Sequence, residues 1–201
     1  MGSYFPLLII THATILFLFP SSPPITTAAS GKQNPATQTC HDNPLVTSVC
    51  ENVNKTTGFD FCCATFFNDT VTPTDIIDLS YIAFRKTYAK ANDILNQILP
   101  IITYKRNKKE LNAMRKCSGD YNRTKWALAT VLEDLDSETY EEFNVLALSA
   151  QGNVSSCDKR LNRASSSSSS VVFRQIRNES GVIVKLTDIC YRVALLFQYS
   201  K

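Results

Sequence analysis

Apolar residues recur at alternating steps of three and four along four stretches of this chain, and this spacing constrains the fold more than any other feature. Such steps match the 3.6-residue turn of an α-helix and put each set of side chains on one stripe. The alternation of period two that is typical of strands is hard to find. The stripes are Ile77, Tyr81, Phe84, Tyr88, Ala91, Leu95 and Ile98; Met114, Cys117, Tyr121, Thr124, Leu128, Val131 and Leu135; Tyr140, Phe143, Ala147, Ala150, Val154 and Cys157; and Val182, Leu186, Ile189, Val193 and Leu196.

Four amphipathic helices with short connections can bury their stripes only against one another. The sequence therefore predicts an all-α protein, a four-helix up-down-up-down bundle over residues 72–200. Residues 45–71, which are rich in cysteine, are expected to form an N-terminal helical hairpin, so that the whole domain spans 45–200. Six consecutive serines within 163–170 predict a low-complexity loop before the fourth bundle helix.

Capping residues mark the expected helix ends. Thr72 is expected to cap the first bundle helix, with Pro73 at its first position and Asp75 in its first turn. Pro100 and the basic residues after it are expected to end that helix. Asp136 and Ser137 are expected to supply the capping side chains of the third bundle helix.

The N-terminus predicts secretion. The apolar run from Phe5 to Phe19 is shorter than the roughly 20 residues of a membrane span and indicates a signal peptide over residues 1–30, followed by a tail over 31–44. After cleavage no membrane contact is expected; an anchored form is the alternative, since no Lys or Arg precedes the run. Secretion makes five Asn-x-Ser/Thr sites candidates for glycosylation: Asn54, Asn68, Asn122, Asn153 and Asn178.

Seven cysteines follow the signal peptide. In a secreted protein they are expected to form disulfides, and because their number is odd, at least one thiol stays unpaired. Cys117 and Cys157 lie twenty residues on either side of Ser137 and face each other if two helices turn there. Cys50 and Cys62 are likewise symmetric about Thr56. We therefore predict the bridges Cys50–Cys62 and Cys117–Cys157. Cys63 can reach Cys40, which would leave Cys190 as the free thiol, but spacing alone leaves this third bridge open.

Several segments together resemble the plant invertase/pectin methylesterase inhibitor family. They are the hairpin VCENVNKTTGFDFC, the stretches FDFCCATFFND and TPTDIIDLSYIAF, and the motifs MRKCSGDY and ALSAQGNVSSC with their cysteines forty residues apart. The resemblance covers about residues 45–198. Cys40 and Cys63 are additional to the family's two bridges, the serine run enlarges a loop, and the long hairpin loop is similar to that of the plane-tree pollen branch.

The resemblance implies a helical-hairpin-plus-bundle fold with two disulfides and a protein that inhibits a carbohydrate-acting enzyme in the apoplast or cell wall. The expected partner is pectin methylesterase, bound one to one. Invertase-directed members typically carry a Pro-Lys-Phe motif near the start of the third bundle helix, and here that region is DLDSETYEEF. Inhibition of acid invertase, with a vacuolar location possible, is the alternative. The solvent face of the second and third helices is the expected contact, with Tyr140 and Glu141 as candidate residues.

Other function classes fit poorly. A net charge of +3 from 21 Lys and Arg against 18 Asp and Glu gives no dense basic surface for nucleic acid. The only histidines are His12 and His41, so no catalytic set, metal site or cofactor is expected. A lipid carrier is a remote alternative, since the Cys-x-Cys and eighth cysteine of plant lipid-transfer proteins are missing. The basic run of Lys105, Arg106, Lys108 and Lys109 indicates either a loop that complements the helix dipole or a contact for an acidic partner or polyuronate.

Overall fold

The computed structural model describes residues 39–67, 72–103, 107–166 and 169–199. The signal peptide expected at 1–30, most of the tail at 31–44, the glycosylation candidate Asn68 and two residues of the serine loop lie outside these ranges. So do Lys105 and Arg106 of the basic run.

Six helices lie wholly within the described part of the chain, which also begins with helical residues at 39–41. Two short ones, α1 (Pro44–Val53) and α2 (Phe59–Phe67), precede four long ones, α3 (Ile76–Ile101), α4 (Lys108–Asp136), α5 (Phe143–Ala164) and α6 (Val171–Tyr199). No strand occurs within the described ranges, and the prediction of an all-α fold is confirmed. None of the helices found in those ranges is both long enough and apolar enough to cross a membrane.

The four long helices form a closed ring, in which each packs on its sequence neighbours and α6 packs back on α3. Hydrogen bonds across the interfaces show that neighbours are antiparallel. Tyr81, near the start of α3, donates to Asp136 at the end of α4. Near the start of α6, Arg177 donates to Ser165, the residue that follows α5. The stripes therefore face a common centre, as the spacing predicts.

The centre of the bundle is one continuous apolar cluster that extends into the hairpin cysteines. Aromatic rings close one end of it: Phe143 lies 5.0 Å from Phe84 and 5.1 Å from Phe197 between ring centroids. Thr124, the polar member of the second stripe, is buried and donates to the carbonyl of Asp120 one turn earlier at 3.0 Å. Its hydroxyl is thus satisfied inside the core without a partner from another helix.

The hairpin of α1 and α2 packs on α6 through polar contacts. Thr57 donates to the carboxylate of Asp188 at 2.9 Å, and Thr56 donates to the same oxygen. Gly58, with φ +89°, makes the reversal into α2, a conformation that favours glycine. Asn43 caps α1 by accepting from the amides of Leu45 and Val46, so Pro44, placed in the tail by the sequence, is the first residue of that helix.

Six of the seven cysteines lie in three disulfides. Cys50 bonds Cys62, Cys40 bonds Cys63, and Cys117 bonds Cys157, with Cα–Cα distances of 5.4, 5.6 and 4.9 Å. The first two join α2 to α1 and to the turn before it, and the third joins α4 to α5. Cys190 keeps its thiol, buried in α6, with Sγ 3.1 Å from the hydroxyl of Thr87.

Three expected helix ends differ from those in the structure. Asp75, not Thr72, caps α3, because its carboxylate accepts from the amides of Ile77 and Asp78. Pro73 accordingly lies outside the helix. Helix α3 also continues one residue past Pro100, since a proline in the last turn leaves the earlier carbonyls able to bond downstream amides, as Ile102 does with Ile98.

The connection between α4 and α5 is longer than the two-residue turn expected at Asp136–Ser137. Ser137 ends α4, with its hydroxyl donating to the carbonyl of Glu133 at 2.8 Å, and α5 begins only at Phe143. Ser137 therefore satisfies carbonyls at a C-terminus and caps no amides of α5. Because the extra residues extend the turn outward, the facing of Cys117 and Cys157 is unaffected.

We predict unequal stability losses on removing the bridges. In the chain-entropy picture, C117A/C157A opens a loop of 40 residues and lowers the free energy of unfolding by about 4 kcal/mol. C50A/C62A opens one of 12 residues and lowers it by about 3 kcal/mol. Urea denaturation of each double variant measures the difference. Peptide mapping of the non-reduced protein checks the pairing, and a Cys117 peptide bridged to any cysteine other than Cys157 would contradict it.

We also predict that Cys190 is inert in the folded protein. Burial raises the pKa of its thiol to about 12, although the hydrogen bond with Thr87 opposes that rise. Because the thiolate is the reactive form, alkylation at neutral pH should label nothing until denaturant is added, and then one thiol per chain. Mass spectrometry after labelling with and without denaturant measures this; labelling of native Cys190 within minutes would show that α6 is not packed as described.

Candidate binding surface on helices α4 and α5

Three large apolar side chains lie exposed on the side of α4 and α5 that faces away from the core. Trp126 on α4 is 65% exposed, and Val145 and Leu148 on α5 are 67% and 52% exposed. Each lies opposite the buried stripe of its own helix. We call the surface formed by Trp126, Val145 and Leu148 the outer face.

The register of the two helices puts these side chains at one level. Cys117 and Cys157 face each other in the disulfide, so in an antiparallel pair Trp126, nine residues after Cys117, lies opposite Leu148, nine residues before Cys157. Val145 follows one turn along α5. Helix axes in contact are about 8–10 Å apart. Trp126, Val145 and Leu148 therefore lie at neighbouring levels on the solvent-exposed sides of the two helices.

A buried ion network holds α4 against α5. Asp120 on α4 is only 2% exposed and accepts from Arg160 on α5 and from Arg123 on its own helix. Arg123 also donates to the side chain of Asn153 on α5 at 3.2 Å. Two guanidinium groups compensate the buried carboxylate, and removing either would leave it poorly compensated. The network and the disulfide together fix the relative position of the two helices.

Contacts with α3 anchor the other side of α4. Lys125, next to Trp126, donates to Asn92 at 2.6 Å, and its ammonium lies 5.7 Å from the ring centroid of Tyr88. The backbone that carries Trp126 is therefore held on both sides. A rigid helix pair loses little conformational entropy when a protein docks on it.

The two ends of this helix pair differ in charge. The loop between α4 and α5 carries Glu138, Glu141 and Glu142, all exposed, and lies at one end. Glu138 has a positive φ of 57°, which few non-glycine residues adopt. At the other end the exposed side chains near the start of α4 and the end of α5 are basic. The outer face lies between an acidic and a basic region, nearer the acidic one.

The two residues that the sequence proposed as contacts have different surroundings. Tyr140 is half-buried in the loop before α5, with its ring 4.5 Å from that of Phe197 and 6.5 Å from that of Phe143. It helps close the apolar core. Glu141 is exposed beside it. Neither lies on the outer face, and their role as contacts remains a proposal for the edge of the surface.

Trp126 and Val145 belong to none of the motifs in the sequence, and Leu148 belongs only to the motif ALSAQGNVSSC. A usable signal was present, because each residue is large, apolar and opposite a stripe on its helix. That signal is weak in a sequence, since single exposed apolar residues are common. The pairing of α4 with α5 is needed to show that the three lie together.

Two of the glycosylation candidates, Asn122 and Asn153, lie on the helices that carry this surface. Asn122 is exposed one turn before Trp126, while Asn153 is half-buried and bonded to Arg123. Asn54 and Asn178, on the hairpin turn and on α6, are exposed. A glycan on Asn122 would lie beside the outer face and would restrict the direction from which a partner can approach.

The described cysteines of the hairpin have no thiolates that could bind a metal ion. The sulfur atoms of Cys40, Cys50 and Cys63 lie within 4.8 Å of one another, a spacing suited to a metal ion. All three belong to disulfides, which removes the thiolates that such an ion would need. His41, the histidine in the described ranges, stacks on Phe59 with ring centroids 4.9 Å apart.

Comparisons with known proteins give one consistent result. A family model described as plant invertase/pectin methylesterase inhibitor matches residues 44–193. Two solved structures have the same fold: a mutant form of a pectin methylesterase inhibitor from Arabidopsis, at 20% identity and a TM-score of 0.62, covering 75% of this chain and 95% of that one; and a pectin methylesterase inhibitor from Arabidopsis thaliana, at 21% identity and 0.55, covering 77% and 97%. A search of curated protein sequences finds no match.

We predict that Asn54, Asn122 and Asn178 accept glycans more fully than Asn153, because their side chains are exposed and that of Asn153 lies at the α4–α5 contact. The measurement is glycopeptide mapping of protein secreted from a plant host, with the occupancy of each site read from the Asn-to-Asp change on enzymatic release. Full occupancy of Asn153 with an empty Asn178 would contradict the exposure argument.

Proposed function

The chain belongs to the plant invertase/pectin methylesterase inhibitor family, and from this we propose that it is a secreted protein inhibitor of pectin methylesterase acting in the cell wall. The absence of a Pro-Lys-Phe motif from Asp134–Phe143 supports this target over acid invertase. The proposed partner is a single enzyme molecule, and the inhibitor needs no cofactor for this role.

The exposed outer face is the observation that carries the proposal. Tryptophan is enriched among residues that dominate binding energy, and such residues lie near the middle of an interface surrounded by polar groups. Trp126 fits this description, since it is exposed in the interior of α4 and the charged ends of α4 and α5 lie on either side of it. We infer that the outer face contacts the enzyme at the centre of the interface. The flanking polar residues then form the rim of that interface.

An inhibitor of this kind works by occupying the substrate cleft. Typical stable interfaces bury about 800 Å² on each partner, which is more than three side chains supply. Most of the contact would therefore come from polar residues along α4 and α5, with the apolar trio as its centre. The disulfide Cys117–Cys157 and the Asp120 network keep this surface in one shape before binding, which reduces the entropy lost on association.

The test of the target is a titration of the purified, oxidised protein into pectin methylesterase and acid invertase assays between about pH 5 and 7, the range in which His and perturbed carboxylates change charge. Stoichiometric inhibition of a pectin methylesterase without effect on acid invertase is the expected result. Inhibition of acid invertase alone would assign the protein to the other branch of the family. Inhibition of neither, across several isoforms, would remove the proposal.

We predict that W126A weakens inhibition about 30-fold or more, the loss expected when a central tryptophan worth roughly 2 kcal/mol is truncated. Stability should change by no more than about 0.5 kcal/mol, because the side chain is mostly exposed. The inhibition constant and a urea melt of the same preparation measure the two effects. As the chain has one tryptophan, a fluorine label on Trp126 would also report binding directly by NMR.

A matched pair of double variants controls for the loss of exposed apolar surface. V145A/L148A removes one Val and one Leu from the outer face, whereas L99A/V171A removes the same types at 44% and 70% exposure from the end of α3 and the start of α6. Only the first should weaken inhibition. Equal effects of the two, or none from W126A, would place the contact elsewhere on the bundle.

A further inference from the structure

A basic groove lies between the start of α4 and the end of α5, away from the outer face. Its volume is about 270 Å³, and Lys109 and Lys116 from α4 and Arg160 and Arg163 from α5 line it. Asn112 adds a side-chain amide, and Ala113 and Ala164 are its apolar lining residues. We call this the cationic groove.

Three of these four cations are free to bind a ligand. Lys109, Lys116 and Arg163 are exposed, and among the described residues the ion pairs of α4 and α5 all involve Asp120. Arg160 is the cation committed to Asp120. Two acidic residues of α4 lie close in sequence to the lysines of the groove. They are Glu110 and Asp120, which are buried at 4% and 2% exposure. None of the described residues that line the groove is acidic, so its lining carries a net positive charge.

The helix ends do not decide the sign of the potential. The free amides at the start of α4 add positive potential, but the free carbonyls at the end of α5 add negative potential beside them, and the two contributions oppose each other. The side-chain charges set the field. Complementing a helix dipole explains Lys or Arg at the end of α5, but it does not explain Lys109 at the start of α4, where cations are disfavoured.

The spacing of the cations favours an extended ligand with repeated negative charges. Lys109 and Lys116 are seven residues apart, about 10 Å along the helix axis, and Arg163 follows Arg160 by about one turn on the facing helix. A single small anion could contact only part of such a row. A chain that carries a carboxylate on each unit could contact all of it.

We propose that the cationic groove binds a polyuronate, the de-esterified form of pectin. The choice of this polyanion rests on the proposed function, because a pectin methylesterase converts neutral methyl esters into carboxylates on the same polysaccharide. The lining supports a polar ligand over an acidic protein: it holds no large apolar side chain, and protein interfaces usually have aromatic or large apolar residues at their core. Binding there would hold the inhibitor where the enzyme has already acted.

The test is calorimetric binding of the intact, oxidised protein to oligogalacturonates, with fully methyl-esterified oligomers of the same length and polyglutamate as the other two probes. No enzyme is present, so the outcome does not depend on whether inhibition is found. We expect the de-esterified oligomers to bind, the esterified ones not to bind, and the affinity to fall as salt rises, since exposed charges are screened.

Two triple variants assign the site. K109Q/K116Q/R163Q removes the free cations of the groove and should weaken binding about tenfold or more, because three exposed charge contacts are lost. K55Q/R85Q/K185Q removes the same net charge from residues that do not line the groove and should weaken it much less. Thermal melts of both variants confirm that they fold.

Four results would each overturn the proposal. They are the absence of binding to the de-esterified oligomers, equal binding to the esterified ones, equal losses in the two triple variants, and preferential binding of polyglutamate, which would indicate an acidic protein. If inhibition of pectin methylesterase fails while the groove variant still loses polyuronate binding, only the proposed function falls. If inhibition holds and polyuronate binding is absent, only the groove proposal falls.

Discussion

The mutual burial of four apolar stripes is the constraint on which the rest of this structure depends. Each stripe covers one side of a long helix and can leave water only by contact with the other three. The ring that results buries residues from Leu79 on α3 to Phe197 on α6 in one cluster. Every functional surface discussed above is a consequence, since burying one face of each helix decides which residues remain outside.

Among the long helices in the described part of the chain, α4 and α5 are the pair with a second set of constraints. A disulfide joins them directly, and a buried carboxylate, Asp120, bonds guanidinium groups from both. Removing one partner of such a buried pair is strongly destabilising, because it leaves an uncompensated buried charge. Here the bonds of Asp120 hold α4 and α5 in one relative position. The outer face lies on the outer side of this helix pair, and the cationic groove lies at its basic end.

Much of the fold follows from local pattern. The alternating three-and-four spacing is enough for the all-α class, because it is set by the geometry of a single helix. The positions of Cys117 and Cys157 about Ser137 are enough to bring the two helices into register, although the real connection is several residues longer. Helix ends were less predictable: Thr72 and Asp75 can each accept from amides at a helix start, while the hydroxyl of Ser137 can accept at a start or donate at an end, and only the backbone geometry distinguishes these cases.

The candidate sites were less accessible from the sequence than the fold. Tyr140 and Glu141 lie near the start of a helix and were reasonable choices, yet the ring of Tyr140 is packed on Phe197. Trp126 and Leu148 are 22 residues apart in the chain and come to the same level only through the pairing of α4 with α5. The basic run contains Lys109, which made this residue a candidate contact from the sequence. Arg160 and Arg163, which complete the groove, come from another helix.

The sequence by itself determined the helical class and the stripes that become the core, because each depends on residues within one helix, and it showed two cysteine pairs placed symmetrically about a turn. The tertiary structure alone decided which exposed side chains share a surface and which cations remain free of acidic partners. The physical reason is that exposure and charge compensation depend on neighbours from other helices, as the burial of Asp120 by Arg160 shows. The family of the chain follows from the first kind of information, and its proposed binding surfaces from the second.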